Sequence, residues 1–126
     1  MEKVVTVLLV LVGIIHLLPI SGVLGAERLG ALYGVALDDV NLVILMRHRA
    51  VLFGLLGLFI IYAAFRPHLQ VLALLAGLVS VVSFMAFAWS AGTYNDAIRK
   101  VFMVDIVALV ALGIAATIYV LRRLQG

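Results

Sequence analysis

Four apolar runs of bilayer-spanning length decide what this chain can become: Val4 to Val23, Val40 to Phe65, Leu69 to Ala91 and Val101 to Leu121. A helix crosses the hydrocarbon of a membrane with about 20 apolar residues, so four crossings use about 80. In a chain of 126 residues that leaves short loops and no room for a second domain. The runs must be helices, because every backbone N–H and C=O within hydrocarbon needs a partner in its own segment. The alternating polar and apolar pattern of a membrane barrel is absent. Composition excludes the soluble alternative. With 67% hydrophobic and 12% charged residues, too few polar side chains exist to cover a small domain in water. The expected fold is an all-α membrane protein, a four-transmembrane-helix bundle forming one domain over residues 1–126.

The breaks between runs carry further information. Arg66, Pro67 and His68 separate spans two and three so narrowly that the pair must form a tight helical hairpin, since the proline ends the preceding helix. Lys3, an apolar core and Gly25 give span one the outline of a signal peptide, but the cleavage context is poor and it reads as a span. Within it Pro19 cannot donate to the carbonyl of Ile15, so a bend is expected next to His16. With four crossings both ends of the chain lie on one side. Lys3, Arg66, Arg122 and Arg123 face only Glu2 there, whereas Arg28, Arg47, Arg49, Arg99 and Lys100 are offset by five acidic residues at the other end. The Lys and Arg counts are nearly balanced; because Lys3 and the terminal arginine pair lie outside the lipid, the expected orientation has cytoplasmic termini in a bacterial inner membrane.

Whole classes of function fall away. The chain has no cysteine, which removes thiol exchange, Cys-ligated zinc and iron–sulfur chemistry within it. Its net charge of +3 comes from cations scattered beside the spans and forms no basic stripe, so no nucleic-acid partner is expected. No phosphate-binding glycine loop or nucleophile elbow occurs.

What remains is the polar minority inside the spans, which the bilayer tolerates only at a cost and which therefore marks candidate sites. His16, Arg47, His48 and Asp105 all fall roughly 10 Å below the same surface when depth is counted at the helical rise. Helical phase sets His16 beside Leu9 and Gly13, Arg47 on the stripe of Ala50, Gly54 and Gly57, and Asp105 with Ala108, Leu112 and Ala115. Small-residue stripes are where membrane helices pack. The expectation is a pocket framed by His16, Arg47, His48 and Asp105, with Arg47 paired to Asp105, and rimmed by Glu27, Asp38, Asp39, Asp96 and Arg99. Arg49 is expected to reach the headgroups. His16 and His48 could together hold a metal or a haem, but no metal-ligand spacing supports this, and no cofactor is expected.

Leu32, Tyr33, Gly34, Leu37, Asp38, Asn41, Arg49, Ala50, Gly54, Gly57 and Arg66 form a pattern that resembles the DoxX-like superfamily of small four-helix membrane proteins, over about residues 28 to 67. The resemblance implies a four-helix fold and, for some members, association with membrane redox chemistry or quinones. The expected function is a non-enzymatic accessory subunit or small-ligand-binding protein, surrounded by membrane lipids, taking a quinone or other lipophilic molecule, and assembling as a homo-oligomer or in a larger membrane complex. An enzyme acting on a quinone or lipid, with a histidine moving protons, is the alternative, and a small transporter a third.

Overall fold

A computed structural model describes residues 2–35 and 38–125. Among these there is no strand, and four helices are long and apolar enough to cross a membrane. The first span is α1 (Glu2–Leu17) continued by a 3-10 segment (Leu18–Leu24). The change of helix type falls at Pro19, which sits in the first turn of the tighter segment. This is the expected effect of a missing N–H beside Ile15, expressed as a switch of helical geometry.

A short helix, α2 (Ala26–Tyr33), follows and stops at Gly34, whose left-handed conformation (φ 65°) lets its N–H close onto Gly30 O at 2.7 Å. Too short to span and carrying Glu27 and Arg28, α2 lies over one end of the bundle. Leu29 and Tyr33, four residues apart, form its buried face. The second span, α3 (Val40–Ala64), begins at Asp39, whose carboxylate accepts from Asn41 N at 2.9 Å. Pro67 then opens a 3-10 turn (Pro67–Leu69) into α4 (Gln70–Ala91), and α5 (Asp96–Gln125) completes the bundle.

The helices form a ring in which α1 packs on α3 and α5, and α4 packs on the same two, with only slight contact between α1 and α4. Among the described residues α3 and α5 are not neighbours, so they occupy the long diagonal. Lipid offers apolar side chains no reason to prefer one another, and close packing must do the work. Small residues supply it: a Cβ on Gly13 would lie 2.9 Å from Gly57 O, and one on Gly57 would lie 2.8 Å from Gly13 O. The α1 and α3 backbones therefore meet directly. Gly77 similarly receives Leu112 between α4 and α5.

The chain ends are tied together. Arg122 lies 3.8 Å from Glu2, while Thr6 Oγ1 and Gln70 Nε2 both donate to Ala64 O, at 3.0 and 3.2 Å. The last carbonyls of α3 would otherwise lack partners, which explains an amide as buried as Gln70. Outward faces carry large apolar residues such as Leu55, Leu72 and Val110, as a lipid-facing surface requires.

The glycine contacts make a paired prediction. Gly57→Ala pushes a methyl into the α1 backbone and should cost about 1–3 kcal/mol. Gly113, with nothing near its missing Cβ, should gain up to about 1 kcal/mol on Gly113→Ala from helix propensity alone. Thermal unfolding of both variants in mild detergent checks the two signs.

Candidate functional site

His16 sits at the last α-helical turn of span one, 3% exposed, where the helix tightens toward Pro19. Its Nδ1–H donates to Val12 O at 2.8 Å, and since a carbonyl only accepts, the neutral ring is the Nδ1–H tautomer. Nε2 then accepts from the Ser80 hydroxyl at 2.9 Å. This bond joins α1 to α4 across the short diagonal of the bundle. The ring also lies 5.8 Å from that of Phe53.

His48 is exposed on the outer side of α3 and does not meet His16. The imidazole pair that could have held a metal or a haem is not assembled, because His48 sits on the far side of α3 from its small-residue stripe and both His16 nitrogens are engaged. No group of His, Asp and Glu among the described residues is arranged to hold a metal ion.

Neither arginine takes the role expected of it. Arg47 is exposed, and its Nε donates to Val23 O at 2.8 Å, closing the end of the 3-10 segment. It makes no pair with Asp105. Arg49 instead turns inward, half-buried, donating to the Tyr33 hydroxyl and lying 4.5 Å from the Phe53 ring centroid and 5.3 Å from that of Tyr33. The physical reason is that positions 47 and 49 flank opposite edges of the stripe through Ala50 and Gly54. Only the Arg49 edge faces the long diagonal, where α2 brings Tyr33 over it.

That diagonal opens into a cavity of about 270 Å³ at the α2 end of the bundle, lined mostly by apolar side chains such as Ile15, Leu32 and Val104. Its polar groups are Arg49, Asp105, Lys100, Tyr33 and His16. Arg49 and Asp105 line it from α3 and α5, and the sole ion pair within 4.0 Å among the described residues is Arg122–Glu2, so the two charges share the cavity without touching. Asp105 makes no hydrogen bond to another described side chain, and its carboxylate is accessible from the cavity.

Of the four residues expected to frame a pocket, the structure brings His16 and Asp105 to one cavity and leaves Arg47 and His48 outside it. Glu27, Asp38, Asp39, Asp96 and Arg99 lie exposed at the same end and do not line it. Their positions have a local cause. Glu27 and Asp96 occupy first helical turns and Asp39 caps α3, where negative charge meets unpaired N–H groups. Arg49, Tyr33 and Lys100 are the lining residues that sequence reasoning missed. The signal for Tyr33 was available in Asn95, whose side chain donates to Tyr33 O and Gly34 O at 2.8 and 3.0 Å while capping α5, binding α2 over the bundle.

No family model, curated protein or solved structure matches the chain. Leu37, part of the resemblance noted above, lies outside the described residues.

The His16–Ser80 bond yields a direct test. Ser80→Ala strips Nε2 of its donor and should lower stability by about 1 kcal/mol. Combining it with His16→Phe should add less than the sum of the two single losses, read from unfolding midpoints in detergent.

Proposed function

We propose that this protein is a non-enzymatic membrane protein that binds a small lipophilic molecule bearing a polar group, at the α2 end of the bundle. One observation carries the reading: Arg49 and Asp105 face one mostly apolar cavity from opposite helices yet do not pair with each other. Two charges so placed in low dielectric gain most from pairing or from polar partners. A molecule lying between them supplies such partners while its apolar part meets the walls. A mainly apolar cavity with a few convergent polar groups is the usual form of a small-molecule site. The resemblance to the DoxX-like superfamily adds quinones, through their hydroxyl-bearing reduced forms, to the ligand classes that suit it.

His16 belongs to the scaffold in this reading, because both ring nitrogens are already used within the protein. The protein resides in a bacterial inner membrane with both termini in the cytoplasm, which an alkaline phosphatase fused after Gly126 would contradict by being active. Binding by itself or as a subunit of a larger membrane complex fits the same cavity.

Mass spectrometry of protein purified in mild detergent tests the reading. A stoichiometric small molecule should accompany the wild type and be lost in Arg49→Gln and Asp105→Asn. Arg47→Gln and His48→Gln, both outside the cavity, should retain it. Equal retention or equal loss in all four variants would contradict the assignment.

A further inference from the structure

A second hollow adjoins the first. It is an apolar groove of about 330 Å³ lined by Leu42, Met46 and Ile98 together with Tyr33, Arg49 and Phe84. The last three also line the inner cavity, so they form a shared wall one side chain thick. The groove runs from Val35, Leu42 and Ile98 at the α2 end down to Met46 and Phe84 in the apolar runs of α3 and α4, where its deeper part faces lipid acyl chains. Apart from Arg49 and the Tyr33 hydroxyl, it presents no polar side chain.

Resting on the binding function proposed above, we infer that the ligand is an amphiphile with a hydroxyl-bearing head, held in the inner cavity, and an apolar tail that leaves sideways through this groove. The charges select the head. Arg49 can only donate and the Asp105 carboxylate can only accept, so a head that fills the gap must both accept and donate, as a hydroxyl group does. The size is suitable: a cavity of about 150 Å³ holds a benzene ring, and about 270 Å³ leaves room for a ring with polar substituents.

The wall explains how head and tail are coupled. Arg49 is held in it by its bond to the Tyr33 hydroxyl and by the Phe53 and Tyr33 rings. The guanidinium carries five N–H donors and the Tyr33 hydroxyl takes one, so a head hydroxyl accepts from Arg49 while that bond stays in place. The tail leaves past the wall of Tyr33, Arg49 and Phe84 that the two hollows share. The outer groove offers that tail an apolar path continuous with the bilayer, so its methylenes never cross water.

The experiment uses propylresorcinol and pentadecylresorcinol as probes, each with two ring hydroxyls, measured by equilibrium binding to the full chain in lipid nanodiscs. Partitioning of the longer probe into lipid is the same for every variant, so ratios between variants isolate the protein. Met46→Trp fills the groove without touching the inner cavity, and Leu42→Trp does so from one helical turn away should the first variant fold poorly. Both should weaken pentadecylresorcinol by about tenfold or more, the equivalent of a few methylenes losing their apolar contacts, and leave propylresorcinol within about twofold. Asp105→Asn should weaken both probes alike. If the short probe binds and needs Asp105 while the groove variants bind the long probe as the wild type does, the sideways tail is wrong and the binding cavity stands. If neither probe binds and a species that needs Asp105 still co-purifies, the hydroxyl head is wrong. If no molecule depends on Asp105 at all, the binding function falls and this inference falls with it.

Discussion

The backbone-to-backbone approach of α1 and α3 at Gly13 and Gly57 is the contact from which the remaining geometry follows, because it sets two helices closer than any side chain would permit. A four-membered ring closed on such a short edge cannot be equally tight everywhere. α3 and α5 stay apart along the long diagonal, and toward the α2 end that separation widens into the cavity. The opposite end is closed by Gln70, Thr6 and the Glu2–Arg122 pair. The bundle is sealed at its termini and hollow beneath α2.

The polar groups divide accordingly into those that complete the scaffold and those that face the hollow. His16 links α1 to α4 through Ser80, Arg47 satisfies the last turns of span one, and Asn95 binds α2 to the head of α5. Each of these side chains finds its partner inside the protein. Asp105 does not, and Arg49 is met by a hydroxyl and two aromatic faces but by no carboxylate. In a chain with so few charges, two opposite ones left unpaired across a shared apolar cavity are the feature that sets this end of the molecule apart.

Most of the bundle was legible in the sequence for a plain reason: hydropathy over some twenty residues is a strong signal, and Pro67 and Pro19 act on the backbone whatever surrounds them. Val4 to Val23 became Glu2–Leu24 with its change of helix type at the proline, and Val40 to Phe65 became Val40–Ala64. The fourth span runs from Asp96, five residues ahead of its apolar stretch, since charged residues continue a helix beyond the lipid at no penalty. α2 went unread because eight residues are too few to stand out beside four spanning runs, although Leu29 and Tyr33 at helical spacing mark its buried face; Asn95 and Gly34 then fix its place. The arginines show where phase stops informing. Arg47 and Arg49 stand at the two edges of one stripe, and only the helices that flank each edge decide which is drawn in. His16 and Asp105 could be read because their stripes, through Leu9 and Gly13 and through Ala108 and Leu112, are buried from end to end.

The central claim, that Arg49 and not Arg47 looks across the bundle at Asp105, can be measured through thiols because the natural chain contains no cysteine. Arg49→Cys combined with Asp105→Cys, and Arg47→Cys combined with Asp105→Cys, would each be treated in membranes with a short bis-maleimide, and the intramolecular cross-link read by intact-mass spectrometry. The account predicts efficient linkage of positions 49 and 105 and little between 47 and 105. Preferential linkage of 47 to 105 would contradict it.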